Sequence, residues 1–404
     1  MLRTSVGSAW RRVAAPLCAA RPNPPRGLAG RDAWSVRAFS AGHDTGNANW
    51  MSNKLQKKVA KLRMVDKVRK AAEAGESEAM TLMGAACAMG NQVPTDETEA
   101  GRWFLAAAKA GCQTGALAAG IWLLEGRGGL EASAEAAAPH LKVAADHGIS
   151  RGQTMLGILT LEGTGVEKNA AAAAKLFEKA SADNDHIATY NLGVLFQTGR
   201  GVAKNPGKGA PMIRKAAVAG VPEAQFTISQ WYGGGGERGD VKQVDLRKQF
   251  EWCLKAAKQG HVAAQHNAGV ALMDGTGIDS DPAQAVDWYR KAALGGSLEA
   301  KCNLGMCFIQ ATGVAEDKLE GVALVRTAAE AGYDLAQFNL AVCLGTGLCG
   351  APDEPQSVEW LRKSADQAFV PAMEQLATAL RDGRGCAENT LEADAWEAKV
   401  ARAR

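Results

Sequence analysis

An asparagine recurs at Asn191, Asn267, Asn303 and Asn339, and the last three are 36 residues apart. A carboxamide carries donors and an acceptor on one flat group. A ladder of carboxamides could hold the backbone of an extended peptide. It could equally bond within the protein and fix how neighbouring segments stack. Gln265 and Gln337 stand two residues before two of these asparagines and extend either pattern. Other candidate chemistry is sparse. The six histidines are scattered, and His261 and His266 are five apart, which is not one helix face. No His-Glu-x-x-His occurs, so no metal site is expected. None of the nine cysteines forms a Cys-x-x-Cys, which argues against a zinc knuckle or a thioredoxin-type pair. Cys307 and Cys343 read as small core residues, whereas Cys349 and Cys386 fall in loops where a thiol could react. Trp231-Tyr232 precedes a run of four glycines that brings no phosphate-binding lysine. That run reads as a loop extension rather than a P-loop, with a binding surface at Trp231 and Tyr232 as the alternative. No nucleophile, carboxylate pair or cofactor motif has a recognisable spacing, so neither an enzyme nor a bound cofactor is expected.

The asparagines belong to a longer frame. A small residue recurs at Gly84, Gly120, Gly157, Gly193, Ser229, Gly269, Gly305, Ala341 and Ala377, in steps of 36, 37, 36, 36, 40, 36, 36 and 36 residues. A fixed period in this range marks a repeat array. Trp103, Trp252, Trp288, Trp360 and Trp396 form a second ladder in phase with the first, and His140 takes the tryptophan's place in its unit. Glycines close most units, at Gly75, Gly111, Gly148, Gly220, Gly260, Gly296 and Gly332, while Asp185 and Ala368 depart from that rule.

Residues 297–332 show what one unit contains. Leu298–Ile309 and Asp317–Ala331 carry apolar residues at helical spacing, and Thr312-Gly-Val separates them. No segment shows sustained period-two alternation. The expected fold is all-α: a right-handed α/α solenoid of about nine helical hairpins, residues 76–404, behind a capping helix at 53–75. Glycine costs a helix interior roughly 0.5–1 kcal/mol, so the recurrent small residue implies close approach of a neighbouring helix. The tryptophan is expected to fill the wider gap beside it. The first helix of the eighth unit is expected to stop early, at Gly345.

The N-terminus differs in kind. Residues 1–39 hold seven arginines, no lysine and one acid, Asp32, and without them the net charge of +3 becomes −3. Such a stretch reads as a targeting peptide. Arg37, Phe39 and Ser40 resemble a mitochondrial matrix-protease site, with the cut between Phe39 and Ser40. The expected address is the mitochondrial matrix, with a plastid as the alternative. Residues 40–52 read as a flexible linker. The 53–74 helix is strongly basic, which leaves RNA or an anionic lipid surface as a possible contact there and nowhere else. The array beyond it carries more acids than bases, which argues against DNA and against RNA along its length. No run of 18 apolar residues exists, so no membrane span is expected.

Ala188-x-x-Asn-Leu-Gly193, then Gly199-x-Gly-Val202, and Ala285-x-x-Trp-x-x-Lys-Ala-Ala293 closing at Gly296 together resemble the Sel1-like repeat (SLR), a relative of the tetratricopeptide repeat. The resemblance implies a superhelix that acts as an adaptor or scaffold in protein complexes. First helices usually line its concave side, which puts the asparagine ladder there. Some members in oxidising compartments bridge each repeat through cysteines at helix alanine positions. Here those positions read Ala-Ala, which implies reduced thiols. The leading expectation is a non-enzymatic mitochondrial scaffold that binds a protein or extended peptide. The alternatives are an organellar RNA-associated repeat protein in translation and, last, an enzyme.

Overall fold

The computed structural model describes residues 65–234, 243–348 and 350–403. The expected targeting peptide with Arg37, Phe39 and Ser40, the linker, residues 53–64 of the capping helix, part of the glycine-rich insertion and Cys349 lie outside the described residues. The described residues contain nineteen helices and no strand. They divide into two compact units. The first holds α1 (Val65–Glu73), α2 (Ser77–Met89), α3 (Glu97–Lys109), α4 (Gln113–Glu125), α5 (Ala134–Asp146), α6 (Ser150–Glu162), α7 (Ala170–Ala182), α8 (His186–Thr198), α9 (Pro206–Val218) and α10 (Pro222–Tyr232). The second holds α11 (Leu246–Lys258), α12 (Val262–Asp274), α13 (Pro282–Leu294), α14 (Leu298–Gln310), α15 (Lys318–Glu330), α16 (Asp334–Thr346), α17 (Glu354–Asp366), α18 (Val370–Asp382) and α19 (Thr390–Ala403). The fifth repeat is divided: its first helix, α10, ends one unit and its second, α11, opens the other.

Local chemistry sets each helix boundary. Second helices begin on a side-chain cap: Asp96, Ser133, Asn169, Asn205, Asp245, Asp281, Asp317 and Asp353 each accept the N–H three residues on. This satisfies one of the donors that a helix start leaves unpaired. The backbone N–H of the same capping residue also reaches back to the first helix, as in Asp96 to the Cys87 carbonyl and Asp317 to the Phe308 carbonyl. First helices mostly end on a left-handed residue, for example Gly199 and Gly275. Ala311 holds that conformation at φ +53° without being glycine.

The small residue sits where its helix meets the second helix of the same hairpin. A Cβ added at Gly84 would lie 2.7 Å from the Phe104 ring, one at Gly157 2.7 Å from Phe177, and one at Gly269 2.6 Å from Tyr289. The facing backbone is also near: the Ala100 carbonyl lies 3.1 Å from the Gly84 Cβ position. The expected close approach is therefore present, but the expected gap-filler is not. The residue after the tryptophan position fills the gap: Phe104, Leu141, Phe177, Ile213 and Val325 are wholly buried there. Trp103, Trp252 and Trp360 are only half-buried. Lysines three residues on cover the indoles of Trp252, Trp288, Trp360 and Trp396, with Nζ at 4.0, 4.2, 3.8 and 3.6 Å from the ring centre.

Two boundary expectations are corrected. α16 runs past Gly345 to Thr346 and ends on left-handed Gly347, so the eighth unit keeps a full-length first helix. The residue that replaces a closing glycine in the third unit is Asn184, at φ +63°, not Asp185. Asparagine tolerates that region better than most side chains. Asp185 instead caps α8 by accepting from Ile187 and Ala188.

Consecutive hairpins are tied through both layers. In the second-helix layer Arg69 pairs with Glu99 at 3.1 Å, and Arg362 forms a two-pronged pair with Glu392. Each glutamate also accepts from a tryptophan Nε1, Trp103 and Trp396 respectively. The loops lock onto the preceding hairpin as well. Gly313 has φ +71°, and a Cβ there would fall on the carbonyl of Pro282, the first residue of α13. Three substitutions separate these constraints by urea unfolding. Ala311→Gly should gain about 0.5–1 kcal/mol by relieving the left-handed strain. Gly275→Ala, which meets nothing nearer than 3.5 Å, should lose about 1 kcal/mol from φ alone. Gly313→Ala adds the collision and should lose about 2–3 kcal/mol.

Candidate partner-binding face

The asparagines fall on the first helices, and the structure gives them unequal environments. Asn191 is buried, and its Nδ2 donates to the Ile187 carbonyl of its own helix at 2.9 Å. Asn339 is 1% exposed, and its Nδ2 donates to Cys302 Sγ at 3.3 Å. Asn267 and Asn303 are half-buried and meet at His266. Asn303 Nδ2 lies 3.1 Å from His266 Nε2, and Asn267 Oδ1 lies 3.2 Å from His266 Nδ1. Gln265 and Gln337 are buried, and each Nε2 donates at 3.2 Å to the carbonyl eight residues earlier, Ala257 and Ala329. Gln337 Oε1 also accepts from Gln367.

These contacts follow one register. Tyr190 Oη meets Thr227 Oγ1 at 3.1 Å, His266 meets Asn303, and Cys302 meets Asn339, each pair 37 residues apart. The side chain three before the small residue of one unit thus reaches the side chain two before the small residue of the next. The sequence reading singled out the second partner of two of these pairs and missed the first. It also missed Gln153 and Gln225, which hold the Ala145 and Ala217 carbonyls as Gln265 and Gln337 hold theirs. Their signal was present, since all four glutamines stand four residues before the small residue of their unit.

The carboxamides are not fully committed. Asn191 Oδ1 and Asn339 Oδ1 are buried without a hydrogen-bond partner, and so are both amide atoms of Gln375, at the asparagine's place in the last unit. Trp231 is buried in the core of α10, which leaves only the half-buried Tyr232 of the pair at the surface. Cys307 and Cys343 are buried core thiols, and Cys386 is a half-buried free thiol in its loop. Burial pushes the Cys87 thiol up to about 11, reinforced by Glu99. Among the described residues no cluster of three or more metal-ligating side chains occurs, and no helix is long and apolar enough to cross a membrane.

Sel1 repeats match at residues 77–112, 150–185, 186–220, 222–261, 262–297, 298–333 and 334–369. The chain belongs to the Sel1 repeat family. A solved structure of c5321, a protective antigen present in uropathogenic Escherichia coli strains and displaying an SLR fold, is similar at 29% identity and TM-score 0.62. That match covers 83% of this chain and 71% of c5321. A Sel1 repeat protein from Oxalobacter formigenes is similar in fold, at 21% identity and TM-score 0.50, over 89% of this chain and 92% of its own. No curated protein matches the sequence. The Sel1 repeat is a helical scaffold, generally a protein-interaction fold.

Two histidines make the array sensitive to acid. Burial lowers His266, against the opposing pull of Glu299 and the Asn267 bond. Its contacts fit the neutral ring, with Nδ1–H donating to Asn267 and Nε2 accepting from Asn303, and a proton on Nε2 would face the Asn303 donor. Burial pushes His261 down to about 4, and its Nδ1 caps α12 by accepting the Ala264 N–H. Both native-state values lie below the unfolded value of about 6.5, so the unfolded chain binds more protons and stability falls as pH drops below that value. For His261 the loss between pH 7.5 and 4.5 is about 2–3 kcal/mol. Urea midpoints at the two pH values should show it, and His261→Asn, which keeps a cap without titrating, should remove much of the difference.

Proposed function

We propose that this Sel1-repeat protein is a non-enzymatic mitochondrial scaffold that holds partner proteins during assembly of a complex, or as a subunit of one. The observation that carries the reading is the first-helix layer itself. Tandem repeats place a carboxamide at one position in consecutive units, and at Asn267 and Asn303 it is half-exposed. That serves a partner whose own repeat is polypeptide backbone better than a small ligand. The mitochondrial part rests on the arginine-rich residues 1–39 with the Arg37, Phe39 and Ser40 pattern.

Affinity capture from mitochondria tests both parts. Mature protein, residues 40–404, is used beside an Asn267→Ala/Asn303→Ala/Asn339→Ala variant whose helicity by circular dichroism is unchanged. The expected result is a defined protein set that the first captures and the second loses. Capture of the same set by both would leave the scaffold and make the ladder structural. Recovery of only RNA or lipid would remove the scaffold reading and point to the basic residues 53–74. N-terminal sequencing of the imported protein should begin at Ser40, and retention of residues 1–39 would remove the matrix address.

A further inference from the structure

Charge is not spread evenly along the array. Residues 186–220, one whole repeat, hold five bases, Arg200, Lys204, Lys208, Arg214 and Lys215, and no acid. Each of the other six matched repeats holds four or five acids. The change of sign falls at fixed places in the register. The Lys208 N–H donates to the Asn205 cap of α9, as the N–H groups of Glu99, Glu320 and Glu392 donate to Asp96, Asp317 and Asn389. Lys204 precedes its cap as Glu316 and Glu388 precede theirs. Acids at these positions elsewhere meet bases, Glu99 with Arg69 and Glu392 with Arg362. A face that gathers one sign instead gives up stability to self-repulsion.

The fold brings these bases to one edge. The loop of the fourth repeat seats on the start of α7, where a Cβ at Gly201 would lie 2.4 Å from the Ala170 carbonyl, two residues after exposed Lys168. Arg200, next to that contact, is exposed and donates to the Leu161 carbonyl at 3.2 Å. Lys204 and Lys208 are exposed on either side of the Asn205 cap. On α9, Lys208, Pro211, Lys215 and Val218 fall within about 80° of one another around the axis. All four are exposed, Val218 by 77%. Lys208 and Lys215 are about 10 Å apart along the helix, which three residues of extended chain span. Acids border this edge on one side. The loop of the third repeat seats on α5 in the same way, with Gly165 against Ala134 and Glu135, and Glu131, Glu135 and Glu167 are exposed there. A nucleic acid, charged at every nucleotide, or an anionic membrane plane would carry its charge over those carboxylates, whereas a short acidic segment stops before them. Pro211 and Val218 add apolar surface that a peptide side chain can cover and a phosphate cannot.

We propose that the second-helix face of the fourth repeat, formed by Arg200, Lys204, Lys208, Lys215 and Val218 with Lys168 beside them, binds a short extended segment of a partner protein that is acidic and partly apolar. This surface is separate from the first-helix asparagines. The inference rests on the scaffold reading for the partner's being a protein, and it adds a second contact to that reading.

The test uses the full chain and a synthetic peptide, Asp-Glu-Leu-Glu-Asp-Leu-Glu, carrying an N-terminal benzophenone. The same peptide with Asn and Gln in place of its acids is the neutral probe. Crosslinks formed on irradiation are mapped by mass spectrometry, which separates this face from the basic residues 1–74. The acidic peptide should crosslink within residues 200–218 at least tenfold more than the neutral one, and the yield should fall at least fivefold between 50 and 300 mM salt. Lys204→Gln/Lys208→Gln/Lys215→Gln should cut the yield tenfold or more, with the thermal midpoint unchanged or higher. Lys109→Gln/Lys142→Gln/Lys318→Gln removes as much charge elsewhere and should change it less than twofold. Crosslinks confined to residues 1–74, or equal yields from the two variants, overturn the proposal. So does displacement of the peptide from residues 200–218 by a 12-nucleotide oligouridylate or by phosphatidylserine vesicles at a lower charge concentration than the peptide's own, since the face would then belong to nucleic acid or lipid. These outcomes leave the scaffold reading standing. Loss of all protein capture from mitochondria, with crosslinking at residues 200–218 retained, would remove the scaffold reading instead.

Discussion

The structure depends on one approach of backbone to backbone inside each hairpin. Where the recurrent small residue is glycine, the facing helix leaves no room for a side chain on the near side, and in the last two units Ala341 and Ala377 place no more than a methyl there. At Gly305 a Cβ would lie 2.5 Å from the Gly321 carbonyl, and at Gly321 2.6 Å from the Gly305 carbonyl, so each glycine makes room for the other helix. Gly193 and Gly209 repeat the arrangement, at 3.0 and 2.6 Å. Glycine in a helix sacrifices intrinsic propensity, and the dispersion attraction between two closely packed helices offsets it. Once that distance is set, the rest follows. The large residue on the second helix must turn its side chain over the glycine, the loop must close within a few residues, and its own glycine is pressed against the preceding hairpin.

That constraint explains which features were legible in the sequence. Period, hairpin, helix count per unit and the close approach all leave a mark at fixed spacing, and the chain repeats the mark many times. The identity of the gap-filler did not, because neighbouring residues on a helix point about 100° apart. Trp103 and Phe104 are both large and apolar, and only the contact angle decides that Phe104 turns inward while Trp103 lies on the shoulder beside Glu99. The end of α16 was misjudged for a related reason. Gly345 lies two residues before Gly347, and a glycine inside a last turn looks the same in sequence as one that ends it. Only the left-handed φ of Gly347 separates them.

The candidate face was legible in half of each contact. Asparagines stand out because a polar residue interrupts an apolar helix at a fixed interval. Their partners Cys302 and His266 follow no chemical type, so periodicity does not reveal them. They are joined by a 37-residue offset that exists only when consecutive first helices are stacked. Burial of Asn191 and Asn339 was likewise not legible, since it depends on what the neighbouring elements cover.

The division between the two units falls where the loop chemistry changes. Elsewhere the first helix ends on a left-handed residue, and the following cap returns its N–H to that helix. In the fifth repeat α10 is two residues shorter than its counterparts, and its cap, Gly233, stays at φ −77°, in the right-handed region. The 40-residue step in an otherwise 36- or 37-residue frame falls at the same place. An insertion in a surface loop costs little when the loop only joins two elements. In the other hairpins the loop also packs on the preceding repeat, as Gly313 does on Pro282. The carboxamides of the second unit begin after that point, at Asn267, and recur in unbroken 36-residue steps to Gln375.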